Sequence, residues 1–94
     1  MAAVAQLGNF RLKVFRAVAE HLNFRRAGEE LYLTQPAVTL QIKALEEDLG
    51  VSLFDRTGTQ VALSAAGSVL LDYVRRMIAY PEDHLPWARQ RGRM

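Results

Sequence analysis

The stretch from Phe24 to Leu45 constrains the fold of this chain more than any other. Asn23 and Thr34 stand where a side-chain oxygen can satisfy the first free N–H groups of a helix. Pro36 falls in the first turn after Thr34, where a missing N–H costs nothing. Val38, Ile42, Leu45 and Leu49 then continue at helical steps and form one apolar stripe. Gly50 suits the left-handed stop that ends many helices. A short helix, a tight turn and a longer helix are therefore predicted. The longer helix must pack its stripe on the neighbouring segments of the chain.

A further amphipathic run precedes this pair of helices. Asn9 can cap a helix in which Leu12, Phe15, Val18, Ala19 and Leu22 keep helical spacing, with Arg11, Lys13, Arg16 and Glu20 between them. Ala27 and Leu31 are the core positions of the short helix, and Gly28 within it predicts a close packing contact. Downstream of Gly50 lies a hairpin pattern: Val51–Arg56, a turn over Thr57–Gln60, then Val61–Leu63. Ser64 can cap a fourth helix running to about Tyr80, where Pro81 ends it. Ala66, Leu70, Tyr73, Met77 and Tyr80 alternate steps of four and three, a seam suited to dimerisation. This order predicts a mainly α fold, a winged helix-turn-helix domain over 7–64. A linker or dimerisation helix over 64–80 and a loose tail over 81–94 complete the expected organisation.

Composition narrows the function classes. A chain of 94 residues makes one domain with a modest core, which dimerisation would help to stabilise. The absence of cysteine excludes disulfides and thiolate metal sites and fits a reducing cytoplasm. Met1–Phe10 carries no basic leader of a secretory signal. The uncharged run Thr57–Leu71 is too short and too polar to span a bilayer. Net charge is only +2, so placement matters more than the total. Arg11, Lys13, Arg16, Arg25, Arg26, Lys43 and Arg56 lie in the first part of the chain. The acids cluster at Glu29–Glu30 and Glu46–Asp48, and a basic face is expected if the two sets lie on different sides.

Helical phase selects the outward side chains of the long helix. At about 100° per residue, Pro36, Leu40, Lys43 and Glu47 lie opposite the apolar stripe, Ala37 and Thr39 flank them, and Thr34 and Gln35 form the tip. This set suits base readout in a DNA major groove. Gln35 can pair with an adenine edge, Thr39 offers a hydroxyl and a methyl, and Ala37 and Leu40 can meet thymine methyls. Lys43 and the N–H groups of the first turn can hold phosphates. Arg25 and Arg26 open the short helix as candidate phosphate clamps, with helical pairing to Glu29 and Glu30 as the structural alternative. Arg56 precedes the hairpin turn and can reach the DNA backbone or minor groove, with a cross-strand pair to Asp55 or another acid as the structural alternative.

Catalytic patterns are absent. His21 and His84 have no local partner, Ser52, Ser64 and Ser68 sit in no nucleophile motif, and the glycines form no phosphate loop. His21 reads as a residue that favours its helix dipole. No enzyme activity, cofactor, metal site or membrane association is expected.

These residues resemble the N-terminal domain of LysR-type transcriptional regulators over about residues 7–80. The resemblance rests on Phe15-x-x-Val18-Ala19, Phe24-x-Arg26-Ala27 and Leu31-x-Leu33-Thr34-Gln35-Pro36-Ala37-Val38-Thr39. It continues through Ile42-Lys43-x-Leu45-Glu46, Leu49-Gly50-Val51-x-Leu53-Phe54-x-Arg56 and Leu63-Ser64-x-x-Gly67. It implies a bacterial, cytoplasmic regulator that binds double-stranded promoter DNA as a dimer or tetramer. The third helix would be the recognition helix, the hairpin its wing, and the fourth helix the contact between subunits. The family often has arginine where Leu40 and Thr59 stand, which favours a thymine contact over a guanine contact at Leu40 and a weaker minor-groove grip by the wing. Pro81–Met94 does not resemble the family's sensor domain, so no small-molecule effector site is expected in this chain. The alternative reading is an interaction module that pairs through the fourth helix with a full-length relative.

Overall fold

The computed structural model describes residues 9–77. The segment before them, the expected helix end at Tyr80 and the expected tail over 81–94 lie outside the described residues. The elements run α1 (Asn9–His21), α2 (Phe24–Leu31), α3 (Gln35–Leu49), β1 (Phe54–Thr57), β2 (Gln60–Leu63) and α4 (Ala65–Met77). This is the winged helix-turn-helix order.

Local chemistry sets most boundaries. The Asn23 side chain accepts from the Arg26 N–H at 2.8 Å, and Thr34 Oγ1 accepts from the Ala37 N–H at 3.3 Å. Ser64 Oγ accepts from the Gly67 N–H at 2.9 Å and starts α4. Gly50 closes α3 with φ 73°, its N–H donating to the Glu46 carbonyl. Leu22 departs from expectation. The chain turns there with φ 51°, ending α1 at His21, and Leu22 lies exposed instead of extending the apolar stripe. Tyr32 also takes a left-handed conformation, with φ 58°, to make the turn between α2 and α3.

The helices converge on one core. Leu12, Phe15 and Val18 from α1, Ala27 from α2, and Val38, Ile42 and Leu45 from α3 are buried together. Leu53 and Phe54 join them from the base of the wing, and Leu70, Leu71 and Val74 from α4. Phe54 packs against Phe15 and Phe24 with ring centroids 5.5 Å and 5.8 Å away, within the range of favourable aromatic pairs. Gly28 makes the expected close approach, since a Cβ there would lie 2.5 Å from the Leu33 carbonyl oxygen.

The wing is shorter than the sequence pattern predicts. Its strands pair antiparallel from Phe54↔Leu63 to Thr57↔Gln60, leaving Gly58 and Thr59 as the turn, and Gly58 supplies the positive φ of 62°. Val51–Leu53 do not join the strand because the Leu53 N–H turns to Glu46 and the Ser52 carbonyl to the Ser64 hydroxyl, although the Leu53 carbonyl still bonds across to Ser64. The Leu53 N–H donates to Glu46 Oε2 at 2.8 Å, the Leu53 carbonyl accepts from the Ser64 N–H at 3.0 Å, and the Ser52 carbonyl accepts from Ser64 Oγ at 2.7 Å. Glu46 thus ties α3 to the wing. Replacing it with alanine strands the Leu53 N–H and is expected to lower stability by about 1–3 kcal/mol. Urea unfolding of the Glu46→Ala variant checks this, and an unchanged midpoint would contradict it.

Candidate nucleic-acid interface

The α3 cap and the apolar stripe together fix which side chains leave the domain. With Val38, Ile42 and Leu45 buried, Gln35, Pro36, Leu40, Lys43 and Glu47 are exposed, and Ala37 and Thr39 are half-buried on the flanks. Leu40 is 66% exposed. The first turn of α3 contains no acid, so the positive end of the helix faces outward beside Gln35 without a competing carboxylate, although the Ala37 N–H is capped by Thr34 and Pro36 has none. A shallow surface depression is lined by Gln35, Pro36, Thr39, Leu40 and Lys43.

A second cavity, of about 340 Å³, separates the tip of α3 from the wing. Asn23, Phe24 and Arg25 line one side, Gln35 lines another, and Arg56 and Gly58–Val61 line the wing side. Arg56 lies with its guanidinium carbon 4.1 Å from the centre of the Phe24 ring, a cation–π contact. That contact holds the wing cation near the start of α2. The alternative of a cross-strand acid partner for Arg56 is not what the ladder shows, since Asp55 lies opposite Ala62 and Arg56 opposite Val61. Phe24 as a platform had no signal in the sequence, because only the fold brings residues 24 and 56 together.

The positive charge is more selectively placed than the sequence suggests. Arg11 pairs with Asp48, Arg16 with Glu20 and Glu30, and Arg25 with Glu29 at 2.7 Å. The acids therefore interleave with these cations instead of occupying a separate face. Arg25 takes the paired, solvated arrangement that was the alternative to a phosphate clamp. Among the described residues, Lys13, Arg26, Lys43 and Arg56 have no carboxylate within ion-pair distance. Lys43 lies on the outward row of α3, Arg56 on the wing, and Arg26 in the first turn of α2.

The paired residues form a brace elsewhere. Glu30 accepts from Arg16 at 3.1 Å and meets His21 Nε2 at 2.8 Å, while Glu20 meets Arg16 at 2.7 Å and Arg75 at 3.7 Å. These contacts join α1, α2 and α4. Burial opposes ionisation of Glu30, but hydrogen bonds from His21 and Arg16 and their charges outweigh it and hold its carboxyl below the usual carboxylate range. Burial likewise opposes the charge on Arg16, and Glu30 and Glu20 outweigh it to raise its pKa. A lowered carboxyl pKa contributes stability above the unfolded-state pKa, and that contribution is lost as pH falls through the folded-state value. Acid titration of stability should therefore be shallower in Glu30→Gln than in the parent; superimposable pH profiles would contradict this.

The residues of the expected dimer seam differ in exposure on the fourth helix. Leu70 is 8% exposed and packs in the domain's own core with Leu71 and Val74. The reason is that a close approach at Gly67 turns that side of α4 toward the wing base. Ala66 and Tyr73 are half-buried, and Ala66 packs against the core. The side chain of Met77 and all of Tyr80 lie outside the described residues. Among the described side chains of α4, the large apolar one that is exposed is Val69, at 72%.

Comparison with known proteins agrees with this geometry. Residues 10–68 match the family described as "Bacterial regulatory helix-turn-helix protein, lysR family". The RuBisCO operon transcriptional regulator of Allochromatium vinosum is 51% identical over 65 residues, which cover 69% of this chain and 22% of that protein. The HTH-type transcriptional regulator CbbR of Rhodospirillum rubrum is 47% identical over 73 residues, covering 78% of this chain and 24% of that protein. The chain thus spans less than a quarter of the length of these relatives. Among solved structures, the CbnR DNA-binding domain in complex with DNA is 38% identical with a TM-score of 0.69, covering 88% of this chain and 87% of that one. A LysR-family regulator from Eggerthella lenta is 42% identical with a TM-score of 0.68, covering 71% of this chain and 96% of that one. With the helix order, the caps and the wing all in place, the chain belongs to the lysR family of bacterial regulatory helix-turn-helix proteins.

Proposed function

We propose that this chain binds promoter DNA sequence-specifically as a transcriptional regulator, inserting α3 into the major groove. The observation that carries this reading is the outward row Gln35–Lys43 on α3, free of acids over its first turns and flanked by Arg26 and Arg56, which have no carboxylate partner among the described residues. Occupancy of a site, not catalysis, is the mechanism. Gln35, Ala37, Thr39 and Leu40 meet base edges. Thr34, Pro36 and the α3 N-terminus set the approach, and Lys43, Arg26 and Arg56 hold phosphates. Arg25 reaches a phosphate only by leaving Glu29, so its contribution is smaller. A second copy pairs through the α4 seam of Ala66, Leu70, Tyr73, Met77 and Tyr80, with the exposed Val69 beside it. The pair reads an imperfect palindrome with half-sites about one helical turn, or a multiple, apart.

Selection of duplexes from a random library, then mobility shifts, tests this reading, and failure to retain any duplex at low salt would reject it. Two variants divide the contacts by kind. Gln35→Ala is expected to cost about 1–3 kcal/mol and to relax preference at one base position. Arg26→Ala should weaken all sequences alike and reduce the slope of log K against log salt by about 1. Affinity measured on selected and scrambled duplexes across a salt series checks both, and equal losses of preference in the two variants would contradict the division.

A further inference from the structure

The cleft between the tip of α3 and the wing has a cation fixed at its wall and no acidic residue in its lining. Gln35, Thr59 and Gln60 line it together with Arg25 and Arg56. Glu29 holds Arg25 at 2.7 Å, whereas Arg56 has no carboxylate partner among the described residues. The Arg56 guanidinium carbon lies over the Phe24 ring, 4.1 Å from its centre. Phe24 is only 6% exposed, and Phe54 packs against it edge to face with centroids 5.8 Å apart. A ring packed in this way cannot follow a moving cation, so the contact restrains Arg56 and not the reverse. We propose that Phe24 is a positioning residue for DNA binding, whose ring holds Arg56 at the cleft ready to take a single backbone phosphate.

Duplex geometry brings a phosphate to this place. Neighbouring major and minor grooves are divided by one sugar–phosphate strand. With α3 in the major groove and the wing toward the minor groove, that strand crosses the cleft between them. The inference rests on the proposed entry of α3 and adds what fixes the grip on that strand. An arginine free to sample many rotamers loses that freedom on binding, at a cost to affinity. A ring attracts the cation without using its N–H donors, so Arg56 is confined in advance while its donors stay available. A guanidinium can rest on a ring and bond two phosphate oxygens at once, which a compact ammonium on a flexible stem does not do. If the ring only filled the core, its loss would lower stability and leave the contribution of Arg56 to binding unchanged.

The test uses the intact chain and a duplex it has selected from a random library. Fluorescence anisotropy, on samples shown to be folded by circular dichroism, compares the parent with Phe24→Leu, Arg56→Ala and the double variant. Arg56→Ala is expected to lose affinity about tenfold, the loss of one hydrogen-bonded charge contact. Phe24→Leu keeps an apolar side chain but no ring face, and about a threefold loss is expected. The two losses should not multiply, so the double variant should bind as Arg56→Ala does. A methylphosphonate, which removes the charge of one phosphate, is placed at each position of the duplex in turn. One position per half-site should weaken the parent and leave Arg56→Ala unaffected. Arg56→Lys changes only the exposed wing and keeps the inference testable if Phe24→Leu does not fold; about a threefold loss is expected. Losses that multiply, the absence of any methylphosphonate position that depends on Arg56, or parental affinity in Arg56→Lys would each overturn the inference. These results would leave DNA binding itself standing, whereas failure to select any duplex would overturn the function and this inference together.

Discussion

Gly67→Ala is expected to destabilise the domain by about 3 kcal/mol, a change readable as a large drop in the urea midpoint. A Cβ at position 67 would sit 2.1 Å from the Leu53 carbonyl oxygen and 2.8 Å from a Leu63 methyl. The nearer neighbour does not yield easily. The Leu53 carbonyl is backbone, held by the Ser64 N–H at 3.0 Å, and the Leu53 side chain is buried. Relief requires α4 to lift from the wing base, which opens the packing of Leu70, Leu71 and Val74. Gly50→Ala is the control. A side chain there meets nothing within 4 Å, and only its φ of 73° is unfavourable, so a loss of about 1 kcal/mol is expected. Equal effects of the two substitutions would show that close packing at Gly67 is not what holds α4 in place.

Leu40→Glu is expected to reduce affinity for the selected duplex at least about 100-fold, or ~2.7 kcal/mol, while leaving thermal unfolding nearly unchanged. The side chain is mostly exposed and does not belong to the core, so folding tolerates the change. In the groove a carboxylate would face phosphates on both sides and lose water without gaining a partner. Mobility shift and calorimetric unfolding of the same sample separate the two effects. Retained affinity would remove α3 from the interface.

Much of this site could be read from the sequence because the relevant chemistry is local. Asn23, Thr34 and Ser64 cap helices through N–H groups a few residues away, and Gly50 ends α3 through its own backbone conformation. The buried stripe Val38–Ile42–Leu45 then fixes the outward row by geometry alone. The remainder depends on which surfaces meet in space. The α4 pattern identifies apolar positions but not their partner, and the structure assigns Leu70 to the domain's own core. Arg11 and Asp48 are far apart in sequence, as are Arg56 and Phe24, so neither contact has a local signature. Leu22 escapes the pattern because periodicity continues past the point where the backbone turns left-handed. Tyr32, 95% exposed and left-handed, has no sequence signal either, and nothing in the described fold covers it.

Cysteine-directed DNA cleavage tests the central claim most directly. The chain has no cysteine, so a single introduced thiol can carry an iron chelate at one defined position. Thr39→Cys places the reagent on the outward flank of α3, and Asp72→Cys places it on the exposed side of α4. On a selected duplex, the Thr39 probe is expected to cut within each half-site, and the Asp72 probe to leave those base pairs intact. Cutting of the half-sites from Asp72 with none from Thr39 would contradict the placement of α3 in the major groove.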